Sequence, residues 1–235
     1  MRRLNWAGAV ALTLALPGRT VGLDIVSAAR EIYCYTNVSC APPIEVWRTP
    51  DTPLAAFGDS LLHSQSCSGG DVNAYAAAIQ RSSIRSDSIL IESTVQSSAE
   101  GEVGVRGIAR SVGTITFRVA SERRALCTVY VAMWSISSGG RYGYVRQNFT
   151  LTGANGLVDS MSCQAGPGPS HDRTNSIYHT HILDPGDYTL DARATADGDM
   201  GVDGELWLKV AVVDIVPVKP TTWSEVKSLY KDATK

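Results

Sequence analysis

The segment from Tyr188 to Ala196 alternates apolar and polar residues without a break, and this pattern limits the possible folds more than any other. Only an extended strand turns successive side chains to opposite faces, so the period predicts a β-strand with one face in the core. After the Gly/Asp-rich link at 197–204 the alternation resumes through Leu206, Leu208, Val210 and Val212. We predict that the two runs pair as an antiparallel hairpin.

Other short segments with turn signals between them also predict strands. They cover 24–35, 54–66, 88–97, 114–119, 126–136, 141–151, 157–163 and a strand that ends at Leu183. The segment 71–84 fits a strand, as its neighbours favour, or a helix capped by Asp71, and proline-rich 40–53 predicts an irregular loop. The predicted fold class is therefore all-β, an antiparallel, jelly-roll-like β-sandwich over 23–216.

The two ends of the chain differ from this domain. Residues 1–22 combine Arg2 and Arg3 with a short apolar segment and small residues up to Gly22, which is typical of a secretory signal peptide cleaved after Gly22, or alternatively after Ala28. Residues 217–235 read as a proline linker and a short amphipathic C-terminal helix, docked on its own domain or acting as a docking or sorting peptide. We therefore expect a secreted protein, extracellular or periplasmic.

Charge and cysteine content narrow the class of protein further. The net charge is −2 with no run of Lys or Arg, so we expect no nucleic-acid partner, and no second apolar stretch could span a membrane. Five cysteines fit an oxidising compartment. We predict at least one disulfide, between Cys34 and Cys40, while Cys127 and Cys163 are candidates for a bridge across the sheets.

Leu183, Pro185, Gly186, Tyr188 and Leu190 form an LxPGxYxL pattern, and a Gly-led apolar run, GELWLKVAV, follows it. Together with TITFRV at 114–119, these residues resemble a loose group of uncharacterised secreted bacterial β-sandwich proteins over about 24–216. The resemblance implies that Leu lies in the core, that Pro-Gly forms the turn and that Tyr seals the corner. It implies no active site.

The motif FGDSL at 57–61 resembles the first block of GDSL-type esterases, which would make Ser60 a nucleophile. The other blocks of that family, GxND and DxxH, do not occur in the sequence, and neither does the strand–helix alternation that an α/β/α hydrolase requires. The competing interpretation of Gly58 to Ser60 is a turn between strand segments.

Three groups of residues are candidates for binding. Trp134, Tyr142 and Tyr144 could stack on a carbohydrate. Asp197, Asp199, Asp203 and Glu205 could form a weak calcium site or simply an acidic turn. His179 and His181 lie two residues apart, so they share one face of a strand and could bind a metal or face solvent on an edge strand.

These features favour an exported, non-enzymatic β-sandwich module for interaction, adhesion or envelope structure, with an extracellular protein or glycan as partner. A carbohydrate-binding, lectin-like sandwich is the alternative, and the esterase is a third hypothesis. Apart from weak calcium binding, no cofactor is expected.

Overall fold

The computed structural model of the chain describes residues 23–69, 72–101, 104–120, 124–137, 143–166, 171–198 and 201–215. The strands in these ranges are β1 (Asp24–Val38), β2 (Ala41–Arg48), β3 (Phe57–Ser66), β4 (Asn73–Ile84), β5 (Ser88–Glu100), β6 (Arg106–Val119), β7 (Ala125–Ser137), β8 (Tyr144–Gly153), β9 (Gly156–Ala165), β10 (His171–Leu183), β11 (Gly186–Gly198) and β12 (Val202–Asp214). The predicted signal peptide at 1–22 and the predicted helix within 217–235 lie outside the described residues.

The strands form two antiparallel sheets of six strands each. Sheet A has the order β2-β1-β6-β11-β8-β9, and sheet B has the order β10-β7-β12-β5-β4-β3. The all-β prediction with antiparallel sheets is confirmed. Within the described ranges, no helix is long and apolar enough to cross a bilayer.

The core lies between the two sheets, because every second side chain of each central strand is buried. Along the whole length of β7, buried residues alternate with residues that are half-buried or, at Leu126, exposed. The largest fully buried side chains come from both sheets: Phe117, Phe149, Ile32, Ile89, Ile91, Ile115, Met133, Leu151, Leu183, Leu190, Leu206 and Leu208. This two-layer arrangement is a β-sandwich.

Buried polar side chains also join the sheets across the core. Ser111 of sheet A lies 2.8 Å from Ser93 of sheet B (Oγ to Oγ) and accepts a hydrogen bond of 2.9 Å from Gln80 Nε2. Farther along, Gln147 Nε2 of sheet A donates to the Trp134 carbonyl oxygen of sheet B at 2.9 Å. Because each pair satisfies polar groups that burial would otherwise leave unpaired, these contacts favour a single alignment of the two sheets.

The prediction that residues 188–196 pair with 206–212 as a hairpin is wrong, but the prediction of which side chains of the two segments are buried is confirmed. Tyr188, Leu190, Leu208 and Val210 are buried, as the alternation predicts. However, β11 pairs with β6 and β8, whereas β12 pairs with β5 and β7. The two strands therefore face each other across the sandwich, and the link between them crosses from one sheet to the other.

The corner before β11 has the structure that the LxPGxYxL pattern implies. Leu183 ends β10 in the core, Gly186 has a φ of 150°, and the Tyr188 hydroxyl donates to the Asp184 carbonyl oxygen at 2.8 Å. Gly adopts a positive φ without steric cost, which is why it follows Pro185 here. The turn joins sheet B to sheet A, and the tyrosine closes it.

Several predicted elements are confirmed, and one is wrong. The segment 73–84 is strand β4, not a helix, and β8 pairs with β9 through the turn at 153–156 as expected. The proline-rich stretch at 40–53 contains strand β2, which pairs with β1. Pro42 and Pro43 are tolerated because β2 is an edge strand, where a missing N–H breaks fewer hydrogen bonds.

The predicted Cys34–Cys40 disulfide is wrong, since Cys40 bonds to Cys67 with a Cα–Cα separation of 5.8 Å. From Cys34 to Val38 alone an extended strand covers about 13 Å, roughly twice the Cα distance that a disulfide spans. Cys40 follows β1 of sheet A and Cys67 follows β3 of sheet B, so this bond links the two sheets at one edge of the sandwich.

Cys127 and Cys163, the other predicted bridge, are both free and buried, as is Cys34. Cys127 lies opposite His181 of β10, whereas Cys163 Sγ contacts the Arg173 carbonyl oxygen at 3.6 Å. Eight residues of strand, about 26 Å, separate those two levels of β10. Both cysteines point into the core, but at different heights.

The backbones of the two sheets approach each other closely around Gly107 at the start of β6. A Cβ atom at this position would lie well inside van der Waals contact of the Tyr75 carbonyl oxygen and 3.0 Å from that of Ser98. The neighbouring core residues Ala74 and Ala99 are small and fully buried. Small residues therefore allow backbone-to-backbone contact between the sheets here.

Candidate functional site

The outer face of sheet A carries threonines and charged residues at its centre and aromatic residues, among them Tyr33 and exposed Trp47, toward its β2 edge. Bidentate ion pairs join neighbouring strands, as between Arg118 and Asp187. Within β11, Arg193 binds the Asp191 carboxylate with two hydrogen bonds, at 2.7 and 2.8 Å. The centre of this face is therefore polar, and three of its arginines are paired with aspartates.

The outer face of sheet B is rich in aromatic and aliphatic side chains along three adjacent strands. We call these residues the aromatic face: Leu126, Tyr130, Trp134, Tyr178, Ile182, Trp207 and Val213. Tyr178 is 69% exposed and Ile182 is 61% exposed. Large apolar side chains that adjoin one another at the surface are typical of interaction sites.

Cross-strand register places the members of the aromatic face next to one another. Tyr178 lies opposite Tyr130, and Leu126 lies between Ile182 and Val213. The Tyr130 and Trp207 rings meet edge to face with their centroids 4.8 Å apart. Because the strands of the sheet fix these positions, the rings form a preformed surface.

Carboxylates border the aromatic face. Trp207 Nε1 donates to Glu92 Oε1 at 2.9 Å, and Trp134 lies opposite Glu205. Burial, and then the charge of Asp203, raises the pKa of Glu205 above its ordinary value. Burial likewise raises the pKa of Asp203, which accepts a hydrogen bond of 3.1 Å from Gln96 Nε2. Rings and hydrogen-bond acceptors thus alternate on this face.

The predicted carbohydrate-stacking residues are not brought together. Trp134 lies on the outer face of sheet B, whereas Tyr144 lies on the outer face of sheet A beside Asp197. Tyr142 lies outside the described residues. Strands β7 and β8 are consecutive in the chain but belong to different sheets, so outward side chains on them point in opposite directions.

The predicted calcium residues are also separated. Asp197 faces outward from sheet A and is bound by Arg106, whose Nε donates to Oδ1 at 2.8 Å. Asp203 and Glu205 face outward from sheet B, and Asp199 lies outside the described residues. Because the link between β11 and β12 changes sheets, Asp197 points away from Asp203 and Glu205, and it is already paired with an arginine.

Ser60 lies inside β3, where it pairs with Ile79 of β4. The turn interpretation of 58–60 is therefore wrong, and the strand-to-helix turn that an esterase nucleophile needs is absent from this part of the structure. His63, the nearest histidine in sequence, lies on the opposite face of β3, where its Nδ1 is 3.2 Å from Thr36 Oγ1.

His179 and His181 contact a third residue, which was not predicted from the sequence. Asp159 of β9 lies between them, with Oδ2 3.1 Å from His179 Nδ1 and 2.9 Å from His181 Nε2. The Asp159 side chain is 6% exposed, against 24% for His181 and 50% for His179. The histidines do lie on an edge strand, as expected, but they face this carboxylate.

A signal for Asp159 exists in the sequence. Asp159 shares its strand face with Met161 and Cys163, which are both buried. A carboxylate on the apolar side of an alternating strand requires a partner. The partners could not be found by pattern alone, because β9 and β10 belong to different sheets. Trp207 and Tyr178 were missed for a related reason, since their proximity to Trp134 and Tyr130 depends on register.

The fold and its surfaces define a two-sheet antiparallel β-sandwich. No protein-family model matches the chain, and no curated protein does.

The enzymatically active domain of tailspike protein 4 from bacteriophage CBA120 is 13% identical, with a TM-score of 0.22, covering 60% of this chain and 19% of that one. Infectious bursal disease virus proteins are similarly distant. The Gx-strain structure is 8% identical, with a TM-score of 0.20, covering 83% of this chain and 63% of that one. The Gt-strain structure is 7% identical, with a TM-score of 0.15, covering 91% and 74%.

Proposed function

We propose that the protein is an exported, non-enzymatic β-sandwich module that binds an extracellular partner through the aromatic face of sheet B. The observation that carries this proposal is the group of rings and aliphatic side chains on β10, β7 and β12, of which Tyr178, Ile182, Leu126 and Val213 are exposed and the other three rings are half-buried. Leaving such residues in water is unfavourable, and a partner that covers them would recover the free energy of burying apolar area.

Export is supported by the disulfide between Cys40 and Cys67 and by the signal-peptide pattern of residues 1–22. The proposal also includes a jelly-roll-like connection of the strands and a short C-terminal helix within 217–235.

A glycan is the second candidate partner, favoured by the carboxylates beside the rings. Sugars present apolar C–H faces that stack on aromatic rings, and hydroxyl groups that donate to carboxylates. Trp207 with Glu92, and Trp134 with Glu205, supply both kinds of contact within one sheet. A protein partner would use mainly the aliphatic end of the face, at Ile182.

Binding by variants of this face tests the proposal. The natural partner would be captured from the extracellular fraction with the immobilised protein, and a glycan array would be probed with the same preparation. We expect Tyr178→Ala and Trp134→Ala to weaken capture or array binding, because hot-spot residues at interfaces are enriched in Trp and Tyr. Tyr33→Ala, on the outer face of sheet A, is the matched control.

The pattern of losses distinguishes the candidates. Array signals that disappear in Trp134→Ala support the glycan, and silence on the array with capture lost in Tyr178→Ala supports a protein partner. If Tyr178→Ala and Trp134→Ala both bind like the wild type while Tyr33→Ala loses binding, the aromatic face is not the binding face.

A further inference from the structure

Strands β9 and β10 are the outermost strands of different sheets and follow each other in the chain. Asp159, His179 and His181 connect these two strands through their side chains. This edge lies opposite the edge that the Cys40–Cys67 disulfide joins, since β2 and β3 are the other outermost strands.

The three side chains direct their donor atoms to one small region. One carboxylate oxygen and two imidazole nitrogens lie within 4.8 Å of one another, and this is the only such group of three or more ligand-type residues in the described part of the chain. The two rings are perpendicular, with centroids 6.0 Å apart, so they approach the carboxylate from different directions.

The electrostatics of Asp159 also favour a cation. Its side chain is almost fully buried, and its ion-pair partners among the described residues are the two histidines. Its Oδ1 accepts a hydrogen bond of 2.8 Å from the Ser160 backbone amide. Neutral imidazoles donate hydrogen bonds but do not neutralise a buried carboxylate, whereas a divalent cation does.

Ligand distances fit a tetrahedral ion. With metal–ligand bonds of about 2.1 Å, two ligand atoms of a tetrahedral zinc ion lie roughly 3.4 Å apart. The oxygen-to-nitrogen distances here are 2.9 and 3.1 Å, so these two pairs need to open by only about 0.5 Å or less, while the two ring nitrogens lie within 4.8 Å of each other.

We infer that Asp159, His179 and His181 form a binding site for a divalent transition-metal ion of the zinc class, which joins the edge strands of the two sheets. Two nitrogens and one carboxylate oxygen are ligands that zinc prefers, and calcium and magnesium, which prefer all-oxygen sets, do not fit. With three protein ligands, a fourth position stays available on the side of half-exposed His179, for water or a ligand from a partner.

Zinc binding is tested on the full-length protein after treatment with a chelator. Isothermal titration with Zn²⁺ should give one ion per chain, and zinc should raise the melting temperature. His179→Ala and Asp159→Asn should weaken binding by at least about tenfold, because the first removes a direct ligand and the second replaces a carboxylate oxygen with a neutral amide oxygen. His63→Ala is the matched control and should bind as the wild type does.

His179 is half exposed and asparagine has the shape of aspartate, so both variants are expected to fold, which far-UV circular dichroism without metal would check. A second measurement needs no variant. Zinc should protect His179 and His181 of the wild type from diethyl pyrocarbonate, read by mass spectrometry, and should leave His63 reactive, while Mg²⁺ and Ca²⁺ should protect none of them.

The absence of saturable zinc binding by the wild type would overturn the inference. So would unchanged affinity in folded His179→Ala, or zinc protection that does not distinguish His179 and His181 from His63. In that case the three residues form only a hydrogen-bonded group. None of these results depends on the aromatic face, so they test the metal site separately from the proposed function.

Discussion

Gly107 offers a sharp test of the close approach between the sheets. Gly107→Ala adds a single carbon, and that carbon would overlap the Tyr75 carbonyl oxygen and lie 3.0 Å from the Ser98 carbonyl oxygen. Both obstacles are backbone atoms of paired strands in sheet B, so they cannot rotate away as a side chain would. The sheets must separate at this end or β6 must shift.

The expected cost is that of overpacking a rigid interior, about 1 to 3 kcal/mol of unfolding free energy. Gly58→Ala in β3 is the matched control, because nothing lies within 4 Å of its added Cβ and its φ is not positive. There the lower entropy of the unfolded chain should stabilise the protein by about 0.4 to 1 kcal/mol. The two variants should therefore differ by about 1.5 to 4 kcal/mol.

Urea denaturation of the non-reduced variants, with the slope of the transition compared as well as its midpoint, would measure this difference. Equal unfolding free energies for the two variants, within about 0.5 kcal/mol, would refute the close approach of the sheets at Gly107.

Three further predictions concern the core, a buried carboxylate and the cysteines. Leu208→Ala should lower the unfolding free energy by about 2 to 5 kcal/mol, because the Leu208 side chain is fully buried. Lys209 is exposed on the same strand, so Lys209→Ala should change the unfolding free energy by less than about 0.5 kcal/mol. Equal losses in the two variants would contradict the strand assignment. Burial raises the pKa of Asp203, so its ionised form destabilises the folded state. Asp203→Asn should therefore stabilise the protein near about pH 7 and lose that advantage below about pH 4, where Asp203 is protonated in both the folded and the unfolded state. Urea midpoints of variant and wild type that differ equally at the two pH values would contradict this. Thiol titration of the denatured, non-reduced protein should find three thiols, and five would exclude the Cys40–Cys67 bond.

Cys34 and Cys127, two of these three thiols, should react slowly in the native protein at neutral pH. Burial raises the pKa of Cys34 to about 11, and burial with the charge of Asp159 raises the pKa of Cys127 to about 12. Since the thiolate is the reactive form, alkylation should follow unfolding.

Strand faces were predictable from the sequence because alternation directly records which side chains avoid water. Leu190 and Leu208 were assigned to the core on that basis, and both are fully buried. Strand partners were not predictable, since a strand buries the same residues whichever strand lies beside it. The link at 197–204 looks like a hairpin turn in composition, yet it changes sheets.

Sites that depend on strand order were correspondingly hard to predict. Trp134 was recognised as an exposed ring, but its grouping with Trp207 and Tyr178 follows from the order β10-β7-β12. Likewise His179 and His181 were paired by their spacing, whereas Asp159 joins them only because the edges of two sheets meet. A pattern within one strand carries no information about a neighbour in the other sheet.

The central positions of β11 and β12 govern when this chain can fold. Without β11, sheet A separates into β2-β1-β6 and β8-β9, and without β12, sheet B separates into β10-β7 and β5-β4-β3. A growing chain that has not yet reached residue 186 therefore has four incomplete sheet fragments with open edges. The strand pairings that unite these fragments join residues separated by about a hundred positions in the sequence. The open edges of such fragments favour aggregation, and the two sheets can be completed only after β11 and β12 have been synthesised.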